Sequence, residues 1–450
     1  MADLAASVVA FLHRNGVSTA GAIQRELAAD QATLSRAIAT LEDEVIRVDG
    51  GRSTRYGLHR ALNGLGSSWP LFRIDPDGAA VSLGRLHALV REQYWFDTPL
   101  GEYQRLSDGL PFFLQDLVPQ GFVGRTVPSR FPELGLPQRT TEWNDEHVLT
   151  YLCRRGEDCI GSLILGDESL QRFLTQSGTE PPQLDAKARA REYPLLADAA
   201  LSGTAAGSLA GGEHPKFTAS LRSGREVRHV LVKFSPDGND RVAQRWSDLL
   251  VSEHVAARVL QEARLTSSAT ELLSAGGRMF LEATRFDRGG SRGRCGLVSL
   301  AALTNEYLGR GNNWVNVSAG LARLGTISRD DAETVRRLAT FGRLIANTDM
   351  HFGNLSFHLS FDLPPSLAPV YDMLPMLYAP TAGDVVSARV FEPPLPTGDT
   401  LDVWGEMAEL AVKYWQEVAS HDAISEDFAV IAKRNAERVA TVAKLVPRQH

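Results

Sequence analysis

One stretch of the chain, residues 341–354, constrains the fold more than any other. An apolar helical run is followed by a carboxylate at Asp349 and an amide at Asn354, before a strand-like apolar segment over residues 355–359. A second carboxylate, Asp372, follows another short apolar run. Carboxylate and amide oxygens are hard ligands that suit Mg²⁺, and a carboxylate can also accept a hydroxyl proton. The stretch therefore predicts a helix-to-strand turn that carries a polar site.

The spacing of these three residues is a weak signal by itself, because Asp and Asn are also common in turns and helix caps. The order of the three residues is nevertheless that of a protein kinase. There, an Asp and an Asn five residues later form the catalytic loop, and a more distant Asp binds the metal. In that order Asp349 is the catalytic residue that orients an attacking hydroxyl, and Asn354 and Asp372 are the metal ligands.

A lysine upstream of this stretch fits the same order. Lys233 stands near the end of an apolar run over residues 229–234, so a strand here would carry its charge into a sheet. A buried charge needs a partner, and a nucleotide phosphate is one; the alternative is an edge-strand lysine in solvent. Glu253, in an amphipathic helix predicted over residues 245–263, either pairs with Lys233 or is a solvated helix residue.

The sequence around these positions resembles that of a known family. Asn-Thr-Asp-x-His-x-x-Asn at residues 347–354 and Tyr-Asp-x-Leu-Pro at residues 371–375 are similar to the active-site signature of the HipA-like serine/threonine kinases, toxin components of bacterial toxin–antitoxin systems. The family usually has a second Asp where this chain has Met350. The resemblance covers residues 70–385 and is strongest over 345–375 and 207–234. It implies an α+β, protein-kinase-like fold of two lobes, with ATP and Mg²⁺ as cofactors.

The family pattern also marks a loop that covers ATP. The pattern is a Ser followed by Ala-Gly and then a Lys, and it matches Ser208, Ala210, Gly211 and Lys216. Residues 213–215 differ from the family pattern. Small residues there let backbone N–H groups approach phosphates. In the family this Ser is autophosphorylated and the kinase is switched off, which places that role at Ser208. Residues 278–288 have the pattern of a kinase strand and hinge, and the resemblance implies that backbone groups near Leu281 to Arg285 contact adenine. The implied cofactor-binding residues are Lys233, Ala210, Gly211, Gly212, Lys216, Glu282 and Phe286.

Residues 1–62 have a different pattern, with three short helical segments and then a basic hairpin. This order predicts a winged helix-turn-helix, in which Ser18 caps the second helix and Asp30 the third. Polar and basic side chains on the third helix and hairpin would contact double-stranded DNA; these are Gln31, Thr33, Ser35, Arg36, Arg52 and Arg55. The alternative is a protein-docking module. HipA-like toxins usually leave DNA binding to a separate antitoxin, and an attached helix-turn-helix resembles a subset without one.

Composition sets the remaining limits. The 450 residues are too many for one ordinary core, and 43% hydrophobic with 22% charged residues is typical of a globular protein. The expected domains are the helix-turn-helix over 1–62, a strand-like, loop-rich N-terminal subdomain over 69–200 after a linker at 63–68, and a kinase core over 201–450. The net charge of −7 confines any nucleic-acid binding to a local patch. Three cysteines, no signal peptide and no membrane-length apolar run indicate a cytoplasmic protein, nucleoid-associated when DNA-bound.

Several functions remain open at this point. The preferred one is transfer of the ATP γ-phosphate to Ser or Thr of a protein, which by the family resemblance is a translation factor or an aminoacyl-tRNA synthetase. The alternatives are a DNA-binding transcription regulator whose kinase-like part is a sensor or scaffold, and a kinase for a small molecule. A metal-dependent nuclease fits a DNA-binding domain with acidic ligands, but the sequence has no nuclease motif.

Overall fold

A computed structural model describes residues 2–48, 54–100, 103–176, 183–202, 214–381, 386 and 389–446. The first region is built from three helices and a three-stranded antiparallel sheet of order β1-β3-β2. Its elements are α1 (Ala2–Asn15), β1 (Ser18–Thr19), α2 (Ala20–Leu27), α3 (Gln31–Ala39), β2 (Val45–Val48) and β3 (Arg55–Leu58). Apolar residues spaced at helical intervals, such as Val8, Leu12 and Ile23, are fully buried and form its core.

The caps of these helices agree in part with the sequence prediction. Asp30 caps α3 by accepting a hydrogen bond from the Thr33 N–H, as predicted. The prediction of Ser18 as the cap of α2 is wrong, since Thr19 accepts the hydrogen bond from the Ala22 N–H. Ser18 is instead paired with Tyr56 in the sheet. The hairpin tip that includes Arg52 lies outside the described residues.

The linker expected at residues 63–68 is a packed turn. The Leu62 N–H donates to the Gly66 carbonyl at 2.8 Å, and the Trp69 indole N–H donates to the Leu65 carbonyl at 2.8 Å. The chain before the turn also pairs with the following sheet, because the Val90 N–H donates to the Leu58 carbonyl at 3.0 Å. The first region is therefore docked on the second by backbone hydrogen bonds.

The described residues of the second region form a five-stranded antiparallel sheet of order β7-β6-β5-β4-β8 and five α-helices. The strands are β4 (Ser68–Ile74), β5 (Ala80–Leu89), β6 (Gln93–Asp97), β7 (Arg105–Asp108) and β8 (Leu163–Leu165). The helices are α4 (Phe112–Gln115), α5 (Gly121–Gly124), α6 (Val127–Arg130), α7 (Asp145–Arg155) and α8 (Asp167–Gln176). The strand-like prediction missed α7, although Asn144 caps it through a capping box and its Val148, Leu149 and Leu152 are buried.

The third region is an upper lobe with a five-stranded sheet of order β12-β13-β11-β10-β9. Its elements are β9 (Leu184–Asp185), α9 (Arg189–Leu201), β10 (Lys216–Ser223), β11 (Glu226–Phe234), α10 (Arg241–Glu262), β12 (Thr270–Ala275) and β13 (Arg278–Thr284). Helix α9 packs on one face of the sheet and α10 on the other. β9 pairs with β10, and Tyr193 of α9 packs on Phe217 and Phe280, so residues that precede the predicted boundary at 200 also contribute to this lobe.

A lower lobe completes the chain with helices and a small sheet of order β16-β17-β18. Its elements are β14 (Arg288–Gly289), β15 (Gly293–Arg294), β16 (Leu297–Ser299), α11 (Leu300–Tyr307), α12 (Trp314–Arg323), α13 (Arg329–Leu344), β17 (Ser356–Ser360), β18 (Leu363–Leu367), α14 (Leu401–Ser420) and α15 (Glu426–Ala443). The predicted α+β fold with a β-rich and a helical lobe is confirmed. Among the described residues, no helix combines the length and the hydrophobicity needed to cross a membrane.

The docking of the first region can be tested at Gly57. A Cβ atom at this position would lie 2.8 Å from Leu89 Cδ1 and 3.2 Å from Val17 Cγ2. We expect Gly57→Ala to lower the free energy of unfolding by about 1–3 kcal/mol, because overpacking of a tight contact forces its neighbours apart. Urea unfolding would measure the change.

Gly21→Ala is the matched control, since a Cβ at Gly21 has no atom within 4 Å and Gly21 lies in helix α2. That variant is expected to be neutral or up to about 1 kcal/mol more stable. Equal stability of Gly57→Ala and wild type would contradict the close docking of β3 on the second region.

Candidate active site

The loop between α13 and β17 carries the predicted catalytic residues. Helix α13 ends at Leu344, and Ala346 takes a left-handed conformation with φ 61°. The Asn347 N–H then donates back to the Gly342 carbonyl at 2.9 Å, which closes the end of the helix. The chain turns away from the helix axis at this point, and Asp349 is exposed at the surface.

Asn347 fixes the loop from inside. The residue is 7% exposed, its Oδ1 accepts the Asp349 N–H at 3.0 Å, and its Nδ2 donates to the Asp372 carbonyl at 3.1 Å. One amide therefore holds the backbone of both predicted functional carboxylates. The sequence analysis gave Asn347 no role, although an Asn two residues before the N–H that it accepts is the signal of an Asx-turn.

Asn354 and Asp372 flank the same loop. Asn354 is buried, and its Nδ2 donates to the Asp349 carbonyl at 2.9 Å, so its amide oxygen is the atom that remains for a cation. Asp372 has φ 55°, an unfavourable conformation for a residue with a Cβ. Strained backbone of this kind is maintained where the surroundings fix it, and it is common at functional sites.

Lys233 connects the upper lobe to this loop. Its Nζ donates to both carboxylate oxygens of Glu253, at 2.6 and 2.7 Å, and to Asp372 Oδ1. Lys233 is 5% exposed and Glu253 is also 5% exposed, so the alternative of a solvated Glu253 is excluded. The structure thus brings the lysine of β11, the glutamate of α10 and the aspartate after β18 to one point.

The protonation of this cluster follows from burial and charge. Burial by itself would lower the pKa of Lys233, but the carboxylates of Asp372 and Glu253 raise that pKa overall. Burial opposes ionisation of Asp372, yet Lys233 and Lys216 hold its pKa below the ordinary value. Burial raises the pKa of Glu253 despite the nearby lysine. The Lys233–Asp372 contact is therefore an ion pair at neutral pH.

Two further basic side chains lie near the cluster: Lys216, which begins β10, and His214, which precedes it. Lys216 pairs in register with Lys233, and burial together with that neighbouring charge lowers the pKa of Lys216 to about 8. His214 packs on Trp246, with 4.6 Å between the ring centroids. Burial, reinforced by Lys233 and Lys216, lowers the pKa of His214 to about 3, so its imidazole is neutral.

The other predicted nucleotide contacts are divided between the site and its surroundings. Ser208, Ala210, Gly211 and Gly212 lie outside the described residues. The Phe286 ring stacks on Tyr371 with 6.0 Å between centroids, which places Phe286 beside Asp372. The Glu282 side chain lies on the opposite face of the sheet from Lys233, where it accepts hydrogen bonds from Tyr193 and Arg189 at 2.6 and 3.0 Å. Glu282 can therefore contribute only its backbone to a nucleotide site.

The oxygen groups of Asn354 and Asp372 suit a magnesium ion that also takes ligands from a substrate. Within the described part of the chain, no cluster of three or more His, Cys, Asp or Glu side chains could hold a metal. Magnesium keeps several water or phosphate ligands and needs only one or two protein oxygens. The donor set therefore fits a metal ion that binds together with a polyphosphate, for which Lys233 and Lys216 supply compensating charge.

The predicted DNA-contacting residues lie on the first region, apart from this site. Gln31, Ser35 and Arg36 are exposed on α3, and Arg55 is partly exposed on β3. Thr33 is engaged in the helix cap, since its hydroxyl donates to Asp30 at 2.8 Å. The guanidinium of Arg36 donates to Thr33 Oγ1 at 3.3 Å along the same helix. Arg52 lies outside the described residues.

Comparison with known proteins gives matches along nearly the whole chain. Residues 208–445 match the family described as HipA-like C-terminal domain, and residues 65–174 match the family described as YjjJ-like toxin, middle domain. Toxin YjjJ of Escherichia coli (strain K12) is 35% identical over 435 residues, which cover 96% of this chain and 97% of that protein.

Two solved structures are also similar. The proinflammatory kinase CtkA of Helicobacter pylori has 16% identity and a TM-score of 0.37, covering 53% of this chain and 91% of its own. HipA of Shewanella oneidensis MR-1, solved with HipB and operator DNA, has 13% identity and a TM-score of 0.47, covering 83% of this chain and 97% of its own. These scores are too low to carry a functional argument.

The family assignment rests on the two sequence families and on the identity to toxin YjjJ. It confirms the resemblance to the HipA-like family, and it agrees with the two-lobed α+β fold. The chain belongs to the HipA-like toxin family, and its middle region is that of the YjjJ-like toxins.

Proposed function

We propose that this chain is an ATP- and Mg²⁺-dependent serine/threonine protein kinase that acts as a toxin. The observation that carries the proposal is the contact of Lys233 Nζ with Glu253 and Asp372 beside the Asp349–Asn354 loop. Protein kinases need a Lys–Glu pair and a metal-binding Asp in place for transfer. The acceptor is proposed to be Ser or Thr of a protein, of the class of translation factors or aminoacyl-tRNA synthetases.

Each polar residue of the site has a separate role in the proposed reaction. Lys233 and Lys216 neutralise phosphate charge, and Asn354 and Asp372 would hold Mg²⁺, which supplies electrostatic stabilisation to the phosphates when bound. The backbone of Asp349 is held at its N–H by Asn347 and at its carbonyl by Asn354, so its exposed carboxylate is well positioned. Asp349 orients the acceptor hydroxyl and takes its proton. The hydroxyl oxygen bonds to the γ-phosphorus as the bond from phosphorus to the β-phosphate oxygen breaks.

The scaffold or sensor alternative is less well supported. Burial of a lysine and two carboxylates carries a desolvation cost, and each one is destabilising if its partner is lost. A protein that has no use for a phosphate site gains little from keeping Lys233, Glu253 and Asp372 together. A small-molecule kinase would use the same cluster, so the identity of the acceptor must come from experiment.

Self-regulation is proposed at Ser208. A phosphate on this loop adds about two negative charges at the place where backbone N–H groups would meet ATP phosphates. Repulsion by that charge would weaken nucleotide binding or displace the loop. The proposal rests on the match of Ser208, Ala210, Gly211 and Lys216 to the family pattern.

DNA binding through residues 1–62 is the second proposed activity. The observation in its favour is the exposure of Gln31, Ser35 and Arg36 on one helix. Seven arginines balance seven acidic residues in this segment, so attraction to DNA depends on their local arrangement. Arg60 does not add to it, since its guanidinium pairs with Glu146 at 2.7 Å in the docking interface.

Paired variants of the two carboxylates test the kinase proposal. We expect Asp372→Asn to abolish the Mg²⁺-dependent thermal stabilisation by ATP, because a metal ligand is lost. Asp349→Asn should keep ATP affinity within a few-fold while phosphoryl transfer falls by about 10²–10⁴-fold, the usual contribution of a positioned acid–base group. Thermal shift and transfer from labelled ATP to cell extract measure the two effects.

Asp362→Asn is the control for these variants, since this exposed aspartate pairs with Arg73 away from the loop. It should behave as wild type in both assays. The kinase proposal is overturned if wild type neither shifts with Mg·ATP nor labels any protein, and Asp349 is removed from the mechanism if its variant is fully active.

Intact-mass and peptide mass spectrometry test the role of Ser208. We expect phosphate on Ser208 after expression of the wild type and none in Asp349→Asn, because the same active site performs the transfer. The phosphorylated form should bind ATP more weakly, and Ser208→Ala should stay active longer. Phosphate on Thr204 or Thr218 instead, or none over residues 204–218 while other proteins are labelled, would contradict self-inactivation through this loop.

Duplex binding by the full chain at several salt concentrations tests the first region. Removal of two phosphate contacts in Arg52→Ala/Arg55→Ala should weaken binding to all sequences and reduce the salt slope by about two. Arg36→Ala should change sequence preference, because its position on α3 suits contact with bases. Arg323→Ala, an exposed arginine of α12, is the control. Absence of wild-type binding at low salt would favour a protein-docking role.

A further inference from the structure

We propose that the C-terminal helix α15 positions the Lys233–Glu253 pair through a buried contact between Asp248 and Ser425. This inference rests on the proposed kinase function. It assigns a positioning role to residues that do not touch the reacting atoms. Asp248 lies on α10, five residues before Glu253, and Ser425 is the N-cap of α15. Helix α10 thus carries the catalytic-pair glutamate and the contact with α15.

The contact itself is a two-point hydrogen bond. Asp248 Oδ1 accepts the Ser425 N–H at 2.8 Å, and Asp248 Oδ2 accepts the Ser425 hydroxyl at 2.8 Å. Asp248 is 1% exposed, so its carboxylate would have no solvent to replace these partners. Ser425 Oγ also accepts the Phe428 N–H at 3.3 Å, which makes one side chain both the cap of α15 and the partner of α10.

A second buried group joins α10, α15 and the segment that follows Asp372. The Arg245 guanidinium of α10 lies 5.0 Å from the centroid of the Phe428 ring and donates to the Tyr378 carbonyl at 3.4 Å. Tyr378 follows Asp372 in the chain, and Asn435 of α15 donates to its hydroxyl at 2.9 Å. Helix α15 therefore contacts both the helix that carries Glu253 and the segment that follows Asp372.

The mechanical consequence follows from the stiffness of a helix. Five residues of α-helix span about 7.5 Å, so a shift or rotation of α10 at Asp248 moves Glu253 with it. In protein kinases the Lys–Glu pair must be in place for transfer, and regulation commonly acts on the position of the helix that carries the glutamate. Here the α15 contact keeps α10 in the paired position by static packing, without an activating modification.

The experiment measures kcat and the KM for ATP in Asp248→Ala and Ser425→Ala. Loss of the contact is expected to lower kcat by about 10–100-fold, because side-chain hydrogen bonds that hold α10 against α15 are removed and α10 can then shift. The conservative variants Asp248→Asn and Ser425→Thr can keep hydrogen bonds and should remain within about threefold of wild type. Asp402→Ala is the control, since this aspartate pairs with Arg336 at the exposed start of α14.

A double-mutant cycle distinguishes positioning from general loss of stability. If Asp248 acts through Glu253, Asp248→Ala should cause no further loss of kcat in a Glu253→Gln background. Additive losses would overturn the inference, as would wild-type kcat in both alanine variants. Hydrogen exchange of β11 and α10 gives a readout that needs no activity, and both alanine variants should exchange faster at Lys233 and Glu253. Unchanged exchange would also overturn the inference, whereas an inactive wild type with faster exchange in the variants would count against the kinase proposal alone.

Discussion

The structure depends on keeping one ammonium group buried between two carboxylates. Lys233 lies on a strand, Glu253 on a helix, and Asp372 in an irregular segment more than 100 residues later in the sequence. The Lys233 ammonium group contacts both carboxylates. A buried charge without partners is strongly destabilising, so each of these elements must hold its position for the others to be tolerated. The same cluster concentrates positive charge from Lys233 and Lys216 beside hard oxygen ligands. Stability and the proposed phosphate recognition therefore place the same demand on the fold.

Two asparagine side chains fix the backbone of the loop between α13 and β17. Asn347 and Asn354 hold the N–H and the carbonyl of Asp349 from opposite sides. Asn347 also holds the carbonyl of Asp372, whose left-handed conformation has a cost that the surroundings offset. Met350, where the family usually has a second Asp, places its sulfur 2.7 Å from where a Cβ on Gly342 would be. The loop is thus packed on its helix by an apolar side chain at this position.

The regions of the chain are parts of one assembly. The middle region and the lower lobe share a continuous hydrophobic core, and the buried Asp116 accepts hydrogen bonds from the Ser299 N–H and hydroxyl at 2.6 and 2.7 Å. The first region is docked on the middle sheet through β3 and the contact of Gly57 with Leu89. A DNA duplex bound at residues 1–62 would therefore be held at a fixed place relative to the two lobes, which gives the proposed DNA binding a definite geometry.

The sequence by itself determined the local features and most of the polar residues that the structure brings together at the site. Helical spacing of apolar residues, the Asp30 cap and the order of Lys233, Asp349, Asn354 and Asp372 are local or ordinal signals, and all of them could be predicted. Only tertiary structure decided that Glu253 meets Lys233 and that the Glu282 side chain faces away from the site, because both depend on how α10 and β13 sit on the sheet. Residues 63–68 were expected to form a linker but form a packed turn, for the same reason. Glycine and serine indicate a turn, but contacts with the rest of the chain decide whether that turn is packed.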